Sequence, residues 1–263
     1  MTHPLSNIPV SIFPDGFRLD GRTALVTGSA RGLGWEIVRA LAQAGARPVL
    51  HGRSAERLAP RVAELKASGF PASAVTFDMA DRPAMQAAVD GLGPVDVLVH
   101  NVGERDRRPF AAISPEDFAA LVDVDLVAAH ALVKRVLPGM LERGWGRIIL
   151  VTSIVGELAT PGAASYAAAK AGLAALARSL ASEVASRGVT ANALSPGFFA
   201  TETNLALIDS PAGRRLAERC PTKRWADPPE IAGAALFLAS PAASFVNGHT
   251  LVVDGGVSAT YIS

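Results

Sequence analysis

The sequence predicts an α/β protein: a single domain on a doubly wound parallel sheet of about seven strands, flanked by helices. Three observations predict it. Short β-branched runs alternate with longer Ala- and Leu-rich or amphipathic stretches along the chain. Most of these runs are apolar throughout, as expected of strands covered on both faces. No Pro-, Gly- or Ser-rich linker and no shift in composition divides the 263 residues, a length that one large domain can use to bury a sizeable core.

In chain order, "TALVTG" (23–28) reads as the first strand and runs straight into a helix over 33–44. "RPVLHG" (47–52) is followed by a helix over 54–68, "SAVTFD" (73–78) by one over 81–91, and "VDVLVH" (95–100) by a long helical stretch over 114–143. "RIILVTS" (147–153) precedes a helix over 163–187. "VTANALS" (189–195), a helix over 228–240 and "TLVVDG" (250–255) complete the alternation. Residues 198–226 break it with a long segment of mixed character, the expected form of a functional lid. Residues 1–18, with three prolines in the first fourteen positions, read as an extended N-terminal arm, and 19–263 as the domain.

Composition excludes several classes. With 49% hydrophobic and 19% charged residues and a net charge of +1, nothing suggests a nucleic-acid or anionic-membrane partner. No apolar run reaches the ~20 residues of a membrane helix, and the N-terminus lacks the pattern of a secretion signal. The single Cys220 excludes an internal disulfide framework and suits a reducing, cytoplasmic setting. Its plain reading is a small semi-buried loop residue. The five histidines have no neighbours at ligand spacing, so no metal is expected.

The first strand leads into "TGSARGLGWEIVRALAQAG", with glycines at 28, 32 and 34. A glycine turn between strand and helix lets backbone amides approach a pyrophosphate at the positive helix N-terminus, although any tight strand-to-helix connection favours glycine. At the end of the second strand, NAD-binding folds carry an acid for the ribose 2′-hydroxyl. Here Gly52 stands there, followed by Arg53, with Arg31 inside the glycine turn within reach. Two guanidiniums and no carboxylate suit a 2′-phosphate, so NADP(H) is expected over NAD(H). The alternative is two solvated arginines.

"PGAASYAAAKAGLAALARSLASE", from Pro161, is rich in strong helix formers. Tyr166 and Lys170, four apart, then share a face. The chain holds only four lysines against twenty-one arginines, so a lysine here is not routine. A structural account exists in a half-buried Tyr and a snorkelling Lys.

With "TGSARGLG", "HNVG", Ser153, "YAAAK" and "SPG" in this order, the chain resembles the short-chain dehydrogenase/reductase family over about residues 19–256. The resemblance implies a Rossmann-like fold in which Tyr166 is the general acid/base. Lys170 would be its partner and hold the nicotinamide ribose, and Ser153 would hydrogen-bond the substrate carbonyl or hydroxyl. A free tyrosine has a pKa of about 10; an adjacent ammonium and an oxidised nicotinamide both favour phenolate. Expected cofactor contacts are Gly28, Ala30, Arg31, Leu33, Gly34 and Arg53, then Asp78 and Met79 beside the adenine. Asn101 and Gly103 would form the floor, and Pro196, Gly197, Phe199 and Thr201 would hold the carboxamide end. Asp78 is read equally as the N-cap of the following helix. Two positions depart from the family pattern. His100 replaces an asparagine and reads as a packed strand-end residue. Asp125 stands where members commonly place the asparagine that holds a relay water; aspartate would accept from that water but adds a negative charge that opposes phenolate.

Within the family, "HGR", "SIVGEL", "RWADPPEIAGAALFLAS", "SFVNGHTLVVDGG" and the arginine-rich "ERDRRPF" (104–110) are similar to the gluconate 5-dehydrogenase branch. Arg107 would meet a sugar-acid carboxylate and Glu157 sugar hydroxyls; the alternative is a solvated charged loop and a solvated Glu. Three readings stay open: an NADP-dependent sugar-acid dehydrogenase, a 3-oxoacyl thioester reductase, and an NADP-binding sensor or scaffold impaired by Asp125. The second would use lid cations Arg214, Arg215, Arg219, Lys223 and Arg224 on an acidic carrier protein. The resemblance also implies a homotetramer.

Overall fold

The computed structural model describes residues 14–158 and 160–260; positions 1–13 of the expected arm lie outside them. Seven strands form one parallel sheet: β1 (Thr23–Val26), β2 (Arg47–Gly52), β3 (Ser73–Thr76), β4 (Val97–His100), β5 (Gly146–Val151), β6 (Val189–Pro196) and β7 (Thr250–Val253). Their order is β3-β2-β1-β4-β5-β6-β7. The winding reverses between β1 and β4, which opens a crevice beyond the carboxyl ends of these strands.

Most of the strands are largely apolar, and the pleat still sends successive side chains to opposite faces. Leu25, Leu98, Ile148 and Leu150 enter one core, while Val26, Val97, Val99, Ile149 and Val151 enter the other. Helices α1 (Gly32–Gln43) and α2 (Ala55–Ala67) cover the second core, and α3 (Arg82–Asp90) the first. The sequence from 114 to 143 folds as α4 (Pro115–Val122), a π turn (Asp123–Val127) and α5 (Ala128–Arg143). With α6 (Ala164–Val184), α5 closes the first core. Each large aliphatic side chain enclosed in this way contributes about 1.5–3 kcal/mol, so these two interfaces hold the sheet.

The break in the expected 114–143 helix has a physical cause that periodicity does not register. A π turn accommodates one additional residue without interrupting the helical path. Here it contains Asp125, whose side chain is wholly enclosed. Within the expected lid are α7 (Leu205–Ile208) and α8 (Pro211–Arg219). The helix expected over 228–240 begins as a 3₁₀ turn at Pro228–Ile231 before α9 (Ala232–Ala239); two prolines cannot donate to a helical ladder. Ser54, Asp81, Ser114 and Ser210 cap α2, α3, α4 and α8 through their side chains. The cap of α3 is therefore Asp81, with Oδ1 accepting from Ala84 N at 3.0 Å, and not Asp78.

Candidate active site

The glycine turn lies at the crevice. Gly28 and Gly32 have φ of +61° and +57°, a region that side chains other than glycine rarely adopt. Helix α1 starts at Gly32, and Arg31 before it offers no side-chain cap, so the first N–H groups carry the helix's positive end uncapped. Thr27 and Asn101 tie the turn to the end of β4. Asn101 Nδ2 donates to the carbonyls of Thr27 (3.1 Å) and Gly28 (3.2 Å), and Thr27 Oγ1 accepts from Asn101 N at 2.9 Å.

His51 provides a support that sequence reading missed. Its Nδ1 accepts from Gly28 N at 3.2 Å, its Nε2 faces Phe77 O at 3.1 Å, and its backbone N donates to Ser29 Oγ at 3.0 Å. These partners fix a neutral ring protonated on Nε2. Burial pushes its pKa down to about 4. The available signal was a histidine buried directly after the apolar run 48–50 of β2.

On the opposite wall, α6 presents Tyr166 and Lys170 from one face, and both are buried. Lys170 Nζ donates to the carbonyls of Val102 and Val151, each at 3.2 Å, and stands 5.5 Å from the Tyr166 ring centroid. Asp125 Oδ2 is 3.6 Å from the same ammonium, while Oδ1 accepts from Glu104 N at 2.8 Å. Burial raises the Asp125 carboxyl above the usual range, and Lys170 pulls it back down in part. His100 is wholly enclosed as a strand-end residue, with neither ring nitrogen hydrogen-bonded among the described residues. Burial, with Lys170 nearby, lowers its pKa to about 3.

A cleft of about 610 Å³ joins the two walls. Gly28, Arg31, Leu33, Arg53, Asp78 and Met79 line one end. Asn101, Gly103, Ser153, Tyr166 and Lys170 line the centre, with Pro196, Gly197, Phe199, Thr201 and Arg107 around them. Ala30, Gly34 and Asp125 are not among the lining residues, the last two being buried, and Glu157 lies outside the cleft, exposed. Asp78 Oδ1 accepts from Ala80 N at 2.9 Å in a local turn. Gly34 marks a close approach, because a Cβ there would fall 2.5 Å from Gly28 O and 2.6 Å from Asn101 Nδ2.

The charges of the 104–110 loop are sorted into pairs. Glu104 faces Arg53 at 3.8 Å, and Arg108 is held by Asp106 and Asp117 at 2.5 and 2.8 Å. Arg105 stacks on Tyr166 with Cζ 5.2 Å from the ring centroid, and its Nη1 donates to Asn204 Oδ1 at 3.4 Å. Asn204, in the lid, is itself tied to Phe199 O through Nδ2 at 2.9 Å.

A seven-stranded doubly wound sheet with a glycine turn at its switch point and an enclosed Tyr–Lys face across the cleft defines a dinucleotide-dependent oxidoreductase of the α/β class. A family model described as enoyl-(acyl carrier protein) reductase matches residues 28–258, and the chain belongs to the short-chain dehydrogenase/reductase family. It is similar to the 2-dehydro-3-deoxy-D-gluconate 5-dehydrogenase of Formosa agariphila, at 38% identity over 94% of this chain and 96% of that one. It is also similar to a 3-oxoacyl-[acyl-carrier-protein] reductase of Vibrio cholerae, at 39% identity over 91% and 98%. Among solved structures, a gluconate 5-dehydrogenase from Burkholderia cenocepacia in complex with NADP and tartrate superimposes with a TM-score of 0.90. That protein is 42% identical, over 94% of this chain and 99% of its own.

Proposed function

We propose that the protein is an NADP-dependent oxidoreductase that interconverts a secondary alcohol and a ketone on a sugar acid such as gluconate and 5-ketogluconate. The observation that carries this reading is the shared cleft, with the uncapped start of α1 at one end and buried Tyr166 with Lys170 across it. The residues fit the cofactor. The left-handed glycines and open N–H groups at α1 suit a pyrophosphate, and Arg31 and Arg53 suit the 2′-phosphate that selects NADP(H) over NAD(H). Relatives and structural neighbours that act on gluconate-type acids, one of them holding NADP, support the same assignment.

When bound, the nicotinamide would accept a hydride from the alcohol carbon or return it. Tyr166 takes the hydroxyl proton in oxidation and gives it back in reduction. Ser153 Oγ, which accepts from Val155 N at 3.2 Å, has its own proton free to hydrogen-bond the substrate oxygen. Lys170 supplies a positive field at Tyr166, and Asp125 offsets part of it. Cofactor reduction at mildly alkaline pH, with NADP and NAD offered separately against aldonates, polyols and hydroxyacyl thioesters, tests the reading. Turnover with NADP and an aldonate that disappears in Tyr166→Phe is the expected result; a preference for thioesters or for NAD overturns it.

The carrier-protein reading has less support at the lid. Arg224 pairs with Glu230, Arg214 donates to Asp209 O, and Lys223 donates to Glu218 O, so three of its five cations are turned to local partners. The homotetramer is part of this proposal. Phe245, wholly exposed just before β7, is a residue that a second copy would cover, and light scattering on the purified protein measures the assembly. A cytoplasmic location is proposed from the one cysteine, which is free and buried. Among the described residues, no helix is long and apolar enough to cross a membrane.

A further inference from the structure

Three of the four arginines that line the cleft, Arg31, Arg105 and Arg107, form no ion pair among the described residues, and two of them come from the loop after β4. Of the charged side chains in the 104–108 stretch, Glu104 is turned to Arg53, and Asp106 and Arg108 are turned to each other. Arg105 and Arg107 both line the cleft and form no ion pair among the described residues. They differ in position. Arg105 lies across the ring of Tyr166, and its one side-chain hydrogen bond among the described residues, to Asn204 at 3.4 Å, is longer than an ordinary N–H···O bond. Asn204 is pinned by Phe199 O and offers only a neutral oxygen. A carboxylate would offer two charged oxygens matched to the guanidinium fork, a bond roughly twice as strong as a neutral one. The contact with Asn204 is therefore one that a carboxylate at Arg105 would outcompete.

We propose that Arg105 is a specificity-determining residue that takes the carboxylate of the substrate, leaving Asn204 to do so and placing the reacting carbon a short chain away over Tyr166. This rests on the sugar-acid reading of the site and adds to it a named anchor distinct from Arg107. It also links substrate to lid: Asn204 belongs to the segment that carries α7, so occupation of Arg105 frees the lid from the 104–110 loop.

The test compares kcat/KM for gluconate with that for the matching alditol, glucitol, at saturating NADP in the wild type, Arg105→Gln and Arg105→Lys. Loss of a charge-assisted bidentate bond predicts that the aldonate-to-alditol ratio falls about 10- to 100-fold in Arg105→Gln. Partial recovery is expected in Arg105→Lys, which keeps the charge and loses the fork. An unchanged ratio, or an equal fall on both substrates, overturns the proposal. Binding of gluconate and of malonate to the enzyme–NADPH complex, read by nicotinamide fluorescence, separates the two hypotheses. If wild-type enzyme turns over no aldonate but binds malonate at least tenfold more tightly than Arg105→Gln, the substrate reading fails and the anion anchor stands. Equal malonate affinity in the two proteins, or none in either, removes the anchor.

Discussion

Lys170 Nζ and Asp125 Oδ2 face each other at 3.6 Å with 3% and 0% of their side chains exposed. A buried pair of this kind offsets its desolvation only in part, and the rise in the Asp125 pKa reflects the uncompensated remainder. The native state holds that proton more tightly than the unfolded chain does. The stability Asp125 contributes is therefore complete below its unfolded pKa of about 3.9 and is lost as pH rises through the higher folded value. Asp125→Asn removes this titration, so its Tm advantage over the wild type should widen as pH rises from about 4. A difference constant with pH would contradict the account.

The same substitution bears on catalysis. Removing a negative charge beside Lys170 leaves more positive field at Tyr166, so the acidic limb of the kcat/KM profile of Asp125→Asn should move to lower pH. Pre-steady-state and steady-state profiles with NADP and the best alcohol measure the displacement. No movement would show that the carboxylate is already neutral during turnover, and movement to higher pH would contradict the account.

His51 titrates in the opposite sense. Its folded pKa of about 4 lies below the unfolded value of about 6.5. Its contribution to stability is whole above about 6.5 and drains away as pH falls towards 4, with His100 adding to the loss down to about 3. Protonating Nδ1 removes the acceptor for Gly28 N–H. His51→Gln should show a shallower fall of Tm between these pH values than the wild type, and a higher dissociation constant for NADPH near neutrality.

Gly34→Ala places a methyl against Gly28 O and Asn101 Nδ2. The backbone atoms there have little room to yield, and overpacking of this kind costs about 1–3 kcal/mol. A lower denaturation midpoint together with weakened NADPH binding is expected, because the strain falls on the turn proposed to receive the phosphates. A variant with wild-type Tm and affinity would mean that α1 slides away at no cost.

Arg53→Ala should raise the KM for NADP about 10-fold or more while leaving that for NAD nearly unchanged, the signature of a lost 2′-phosphate contact. Arg31→Ala, from the glycine turn, should act in the same direction. Equal effects on both cofactors would assign these arginines to the fold.

The sheet was legible because most of its strands are Val-, Ile- and Leu-rich runs, as expected where both faces are covered, and β1 to β7 fall within two residues of the expected runs, the largely exposed edge strand β3 included. The Tyr166–Lys170 face was legible because i,i+4 spacing is a property of the helix alone. What escaped depends on three-dimensional neighbours. The π turn at Asp123–Val127 leaves no periodic trace. Asp78 and Asp81 are equally good cap residues in sequence, and only the backbone chooses Asp81. The support from His51 and the stacking of Arg105 on Tyr166 join residues more than twenty positions apart. The exposed place of Glu157, outside the cleft, is set by the turn after β5.

Glu104 reaches two places at once. Its backbone N–H is fastened to Asp125, and its side chain extends towards Arg53. On the proposed assignment, in which Arg53 meets the 2′-phosphate and Asp125 tunes Tyr166, the choice of cofactor and the tuning of proton transfer are wired through a single residue. Exchanging Arg53 for an acid would set two like charges against each other across the mouth of the cleft. A redesign has to replace Glu104 in the same step, or the loop that positions Arg105 will recoil from the very end of the site being rebuilt.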